Sequence, residues 1–355
     1  MPTTYAIPDG RTVMNASTWT GDGVTPKAVV SNLAFQPDFL WLKQRSAVNY
    51  HFLQNSIAGA TKYLASNATD AESSGSSGGW IQSFDSTGYT TVTGSSNSNN
   101  VNGSGITYVG WAWKAGGTAV ANTSGSTPSL VSANTTAGFS VVSFTSPASG
   151  SFTIGHGLNA VPNLIITKPT SRSAGWVTYH SSLNGGSPGT SYFVYLDTTA
   201  GQASLASPPM WGSAVPTSSV FGASVSATCA ASEPLIAYCF AAVAGYSAFG
   251  SYTGNGSSDG PFVYLGFRPR WVMIKISAGT TGSWVILDTS RNTYNPEDNR
   301  LLANLSNAEG GGFNVIDVLS NGFKLRDTDS SWNASTYTYI YAAFAENPFK
   351  YANAR

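Results

Sequence analysis

An all-β protein of three tandem antiparallel β-sandwich domains, jelly-roll-like in outline, is what this sequence predicts. Three observations carry that expectation. A short apolar motif that opens at proline and closes at lysine occurs three times, which marks an internal repeat. An aromatic strand follows each copy at nearly constant separation, from 43 to 113, 168 to 240 and 275 to 344. Only 10% of residues are charged, against roughly 25% in ordinary soluble domains, and Gly, Ser, Thr and Asn take their place. Exposed helix faces need charged residues, whereas short strands joined by turns do not.

The motif reads Pro-Asp-Phe-Leu-Trp-Leu-Lys from Pro37 to Lys43, Pro-Asn-Leu-Ile-Ile-Thr-Lys from Pro162 to Lys168, and Pro-Arg-Trp-Val-Met-Ile-Lys from Pro269 to Lys275. Phe39, Leu164 and Trp271 share one strand face with Trp41, Ile166 and Met273. Leu40, Ile165 and Val272 lie on the other, with Leu42, Thr167 and Ile274. Both faces are largely apolar, so the strand is expected to be covered on both sides, with proline as its first residue. Upstream stand aromatic-Thr-Gly turns at Trp19 and Tyr252, and a relic at Phe144-Thr145.

A second strand is expected at residues 50–53, 176–179 and 284–287, with Tyr50, Trp176 and Trp284 aligned. It ends at the polar residues Asn55, His180 and Asp288. Leucine-containing segments come third, at Leu64, Leu196 and Leu301, and residues 299–309 are expected to form one short helix. Hairpin strands follow at residues 86–90 and 320–324, and the repeats close on residues 108–113, 235–240 and 339–344. The division is thus residues 1–114, a Gly/Ser/Thr linker at 115–136, residues 137–244, and residues 245–355. The junction at 242–249 is short, so the second and third domains are expected to be held together more firmly.

Lys plus Arg and Asp plus Glu are 17 each. With no basic excess or patch, nucleic acid is not an expected partner. Two cysteines, Cys229 and Cys239, make no disulfide framework and read as free core thiols. The start has neither a basic nor an apolar signal region, and no apolar run approaches the ~20 residues of a membrane span. Membrane insertion and export by a cleaved signal are therefore not expected.

No nucleotide or zinc-protease motif occurs. Gly-x-Ser-x-Gly is centred on Ser77, Ser187 and Ser258, in Gly/Ser-rich turns that cannot form a nucleophile elbow. His51, His156 and His180 lack ligand-spaced partners. The position filled by Asn55, His180 or Asp288 reads as a hydrogen-bonding strand end rather than a catalytic base. Carboxylates concentrate in the third repeat, at Asp288, Glu297, Asp298, Asp317, Asp327 and Asp329. Of these Asp288, Glu297 and Asp298 form the candidate calcium site, through oxygen ligands; otherwise no cofactor is expected. Trp80, Trp211 and Trp332 fall in the long loops, where exposed rings can stack on sugars or partners. The alternative for these tryptophans is that they plug the ends of the sandwiches.

The run Tyr-Ser-Ala-Phe-Gly-Ser-Tyr-Thr-Gly-Asn-Gly from Tyr246, then Gly-Pro-Phe-Val-Tyr from Gly260 and Arg-Pro-Arg-Trp-Val-Met-Ile-Lys from Arg268, carries a resemblance. So do the closing run from Tyr339 to Ala352, Tyr-Val-Gly-Trp-Ala-Trp-Lys-Ala-Gly from Tyr108, the run from Val131 to Phe139, and Gly155-His-Gly157. Over nearly its whole length the chain resembles a tandem-repeat domain family of virion structural and tail-fibre proteins of tailed bacteriophages, aquatic and cyanobacterial ones among them. The resemblance implies a non-enzymatic virion component, assembled in the bacterial cytoplasm, with no catalytic residues to carry over. Expected partners are further copies of the chain as a homo-oligomer, a trimer first, other virion proteins, and host surface polysaccharide. Head decoration is the alternative to a tail-fibre and host-attachment role. A polysaccharide depolymerase using the third-repeat carboxylates is the reading from another class.

Overall fold

The computed structural model describes residues 5–29, 33–75, 77–95 and 100–348. Residues 1–4 and 349–355, which include the last residues of the closing run, lie outside the described residues. The protein is all-β: antiparallel sheets in sandwich layers, two short 3-10 turns (Gly10–Thr12 and Leu183–Gly186), and no α-helix among the described residues.

One sheet order recurs three times. In the first unit the opening strand Met14–Thr20 pairs with the closing strand Thr107–Trp113. The closing strand pairs with the central strand Phe39–Gln44, then come His51–Asn55, Lys62–Ala65 and Ser73–Ser74. The second unit repeats this with Phe139–Thr145, Pro234–Phe240, Leu164–Pro169, Val177–His180, Tyr192–Tyr195 and Ala203–Ser204. The third uses Ser247–Thr253, Thr338–Pro348, Phe267–Ala278, Val285–Asp288 and Leu301–Leu302.

A smaller sheet covers one face of each main sheet. In the first unit it is Lys27–Val29, Gly88–Thr93 and Gly79–Asp85; in the second, Ser151–Gly155 with Val220–Ser224; in the third, Phe262–Tyr264, Gly322–Leu325 and Ile316–Leu319. The central strands are buried along both faces, as their two-sided apolar pattern requires. Leu40, Leu42 and Ile165 face the sandwich interiors. Phe39, Trp41, Leu164, Ile166, Trp271 and Met273 face a core that belongs to all three units at once.

At the centre of that shared core stand Trp113, Phe240 and Phe344, one from the same place on each closing strand. Their ring centroids are 6.2, 5.6 and 5.7 Å apart. Each is paired across the sheet with its unit's Phe39, Leu164 or Trp271. The units are therefore not beads on a string but a closed circle packed on a common axis. Three equivalent backbone ladders join them. Glu72 N–H donates to Thr170 O and Ala174 N–H to Thr69 O; Gln202 N–H donates to Ser277 O and Gly282 N–H to Thr199 O; Glu309 N–H donates to Arg45 O and Asn49 N–H to Ser306 O, all at 2.7–2.9 Å. The N-terminal turn packs on the last strand. A Cβ on Gly10 would stand 2.2 Å from the Ala345 carbonyl oxygen, so only glycine fits that approach.

Four expectations are corrected. Residues 115–136 do not form a free linker: Val120–Asn122 and Ser129–Asn134 add two strands to the edge of the second sheet. Leu130 points outward while Val131 is buried, an alternation too short to stand out from Gly/Ser-rich surroundings. No helix forms at residues 299–309, where Leu301–Leu302 pairs as a strand. Pro269 does not open its strand but lies inside Phe267–Ala278, at a bulge where the register shifts on both sides of it. Finally, Asn55, His180 and Asp288 hold equivalent places opposite Phe39, Leu164 and Trp271, so His51, and not Tyr50, stands where the other units have Trp176 and Trp284.

Candidate functional site

The polar residues singled out by sequence lie at the joints between units. Asn55 Nδ2 donates to the Tyr238 hydroxyl of the second unit at 3.2 Å. His180 Nε2 faces the Tyr341 carbonyl of the third at 3.0 Å. Trp111 Nε1 of the first unit donates to Asp288 Oδ2 at 2.9 Å. The same strand end thus reaches the next unit in each case. His180 Nδ1 accepts from Ser182 N–H, which leaves the proton on Nε2 for Tyr341, and burial lowers its pKa to about 4. It is a neutral joint residue.

The repeated lysines serve the same joints from the other side. Lys168 Nζ donates to Thr69 O at 2.9 Å, Lys275 Nζ to Thr199 O at 2.9 Å and to Gly282 O, and Lys43 Nζ to Ser306 O at 3.3 Å and Gln44 O at 2.7 Å. All three are fully buried, and desolvation pulls Lys43 and Lys275 down to about 7 and Lys168 to about 8. Next to them Trp176 Nε1 donates to Ala65 O at 2.8 Å and Trp284 Nε1 to Tyr195 O at 2.9 Å. His51, in the matching place, accepts from Trp41 Nε1 at 2.9 Å.

The joint between the third and first units differs in being ionic. Arg291 is fully buried between Asp288 and Glu309, with Nη1 2.9 Å from Glu309. Arg45 of the first unit grips Glu309 through two bonds of 2.9 and 2.8 Å. This bears directly on the candidate calcium residues. Asp288 spends its charge on Arg291, and Asp298 accepts from Asn292 Nδ2 at 2.8 Å. Burial and then Asp288 push Glu297 up to about 9, so it holds a proton at neutral pH. No group of three or more metal-ligating side chains is formed among the described residues.

The loop tryptophans are also placed. Trp211 and Trp332 are fully buried: Trp211 Nε1 donates to Tyr192 O at 2.9 Å, and Trp332 lies beside Phe313 and the Arg300 guanidinium. Neither presents a face to solvent. Trp80 is half-buried on Gly79–Asp85, with Gly75 against its ring. Cys229 and Cys239 are free and buried, and burial pushes both thiols up.

A paired exposed aromatic surface lies elsewhere, on the small sheet of the third unit. Phe262 and Tyr264 are 44% and 67% exposed, two residues apart on an edge strand, so both point outward while Val263 is buried between them. Phe262 faces Lys324 and Tyr264 faces Gly322 across the ladder. A Cβ on Gly322 would stand 2.0 Å from the Val263 carbonyl oxygen and 3.1 Å from the Phe262 ring, so glycine is needed where the two strands meet. Lys324 pairs with Asp259 at 2.7 Å, and Arg326 with Asp317 at 3.4 Å, around this surface. At the opposite edge Asn295 makes two 2.9 Å bonds with the Val318 backbone and holds the loop that carries Tyr294, 82% exposed. The signal was in the sequence as Gly-Pro-Phe-Val-Tyr, an alternating triplet after a turn.

No helix among the described residues is long and apolar enough to cross a membrane. No curated protein and no solved structure matches the chain. The family described as domain of unknown function DUF7483 matches residues 9–348, across all three units, and the chain belongs to that family.

Proposed function

We propose that the protein is a non-enzymatic structural component of a bacteriophage virion, exposed on the particle as a tail-fibre or host-attachment element that meets host surface glycan. The observation that carries this reading is the outward pair Phe262 and Tyr264, bordered by ion pairs that offer both donors and acceptors. Aromatic faces with polar rims suit sugar rings. Of the residues with catalytic chemistry, His51, His180 and Asp288 are buried in joints and Glu297 is buried within the third unit, which favours scaffolding over hydrolysis. The axial core is filled within one chain, so assembly into a homo-oligomer would use the outer surfaces.

The test is binding of the fluorescently tagged full chain to host cells, with immunogold labelling of particles. Saturable cell binding that Tyr264→Ala and Phe262→Ala reduce at least tenfold, with label on the tail, is the expected result. Label on the head would replace attachment with decoration, a role that the circle of three units also fits, since it matches threefold positions of a shell. Release of reducing ends from host polysaccharide would overturn the non-enzymatic reading.

A further inference from the structure

Where the N-terminal turn meets the third unit there is a cavity of ≈ 370 Å³, lined by Asp9, Arg11, Thr12, Asn15, Ala34 and Arg270. Small-molecule sites commonly span about 300–1,000 Å³. The wall holds two guanidiniums and one carboxylate, and the carboxylate is spoken for. Asp9 accepts from the Arg11 backbone N–H at 3.0 Å, from its Nε at 3.0 Å and from its Nη2 at 2.9 Å.

Arg270 is the opposite case. It is 8% exposed, yet among the described residues its Nε has no hydrogen-bond partner. Its one carboxylate contact among those residues, Nη1 to Glu346 Oε1, is 3.4 Å long, and Glu346 is shared with Arg268 at 3.2 Å. Charge-assisted bonds run at about 2.7–2.9 Å, so this guanidinium is under-compensated for its burial. The cavity it lines is where a compensating group can enter.

We propose that this cavity binds a small hydroxylated carboxylate, such as a uronic-acid unit of an acidic glycan, with the carboxylate taken by Arg270 and Arg11. Planar guanidiniums match a carboxylate in bidentate geometry. Arg11, Arg270 and Arg268 against Asp9 and Glu346 leave one positive charge in excess, which suits a singly charged anion; a phosphate dianion would leave negative charge beside the Asp9 carboxylate. The Thr12 hydroxyl, which donates to Asp9 O at 2.7 Å, keeps lone pairs free to accept from a ligand hydroxyl. The site is separate from the outer aromatic face and stands whether or not the protein acts in attachment.

The experiment is calorimetric titration of the full chain with D-glucuronate, D-glucose and inorganic phosphate. Saturable glucuronate binding at about 1 mM or tighter is expected, with glucose and phosphate each at least ~10-fold weaker. Arg11→Gln should weaken glucuronate at least ~10-fold at unchanged Tm, because the Arg11 side chain is 47% exposed and, among the described residues, hydrogen-bonds to Asp9 alone. Arg270→Lys should do the same, and if that variant does not fold, Arg11→Gln decides. Absence of saturation at about 20 mM glucuronate, equal affinity for glucose or phosphate, or wild-type binding by Arg11→Gln would each overturn the assignment.

Discussion

Replacing Asp288 by Asn tests the ionic joint with almost no change in shape. The substitution puts into the third unit the residue that the first unit carries at the equivalent place, Asn55. The amide has one acceptor oxygen for the two that Asp288 offers, so it keeps either Trp111 Nε1 or the Ser290 and Arg291 backbone N–H groups, and one of these neutral contacts goes with the charge. What is lost is the charge facing Arg291, which has no solvent exposure and keeps only Glu309, itself shared with Arg45. Breaking one side of a buried pair costs about 3–5 kcal/mol, and the remaining carboxylate puts this case near about 3 kcal/mol. At about 2 °C per kcal/mol for a long chain, Tm should fall by about 6 °C.

Urea denaturation followed by far- and near-ultraviolet circular dichroism gives the loss directly. Both signals should move together, because the tryptophans report the shared core. The double variant Asp288→Asn with Arg291→Met, which removes the stranded cation, should recover more than half of the loss. If Asp288→Asn lies within about 0.5 kcal/mol of wild type, or the double variant is no better than the single, the joint is not held electrostatically as argued.

Other perturbations read other parts of the molecule. Trp113→Ala empties the axial triangle and should cost about 3–5 kcal/mol, with one shared transition for all units; loss confined to the first unit would contradict the common core. The buried lysines and Glu297 should give opposite pH trends. Lys275 falls to about 7 on folding, so the unfolded chain holds more protons above that value; its contribution to stability is full above the unfolded value and is lost as pH falls to about 7. Stability contributed there therefore rises with pH from about 7 to about 10, and Lys275→Met should remove its share of that rise while those of Lys43 and Lys168 remain. Glu297 is raised to about 9, so its contribution is present below the unfolded value and lost as pH climbs. Glu297→Gln should accordingly match wild type near about pH 4 and exceed it near about pH 8 in Tm. Limited proteolysis should leave residues 115–136 uncut, since two strands of that segment are paired; prompt cleavage there would restore the linker.

Much of the fold is written locally. A strand buried on both faces must be apolar on both, so Phe39 to Leu42, Leu164 to Thr167 and Trp271 to Ile274 are legible as central strands without any partner in view. The joints are not legible in that way. Nothing near Asn55, His180 or Asp288 says which unit each one meets, because their partners Tyr238, Tyr341 and Trp111 are 183, 161 and 177 residues away. Variation among Asn, His and Asp marks the position as polar, but only the closed circle explains why each choice suits its neighbour: a tyrosine hydroxyl, a backbone carbonyl, an indole N–H.

The burial of two of the three candidate binding aromatics was not legible for a related reason. A tryptophan in a Gly/Ser-rich loop can cap a core or face solvent, and its own surroundings do not distinguish the two. Trp211 and Trp332 cap. Phe262 and Tyr264 declare themselves by alternation about Val263, a rule that holds only once the segment is known to be a strand at a sheet edge.

The three dissimilar joints also restrict which unit can sit beside which. If all three strand ends were alike, any unit could sit beside any other, and the circle could close in a second order. An acidic end that needs the Trp111 indole, beside an arginine pair found at one joint only, makes such an exchange leave a buried charge stranded. The order of units around the circle is thereby written into the joints as well as into the chain.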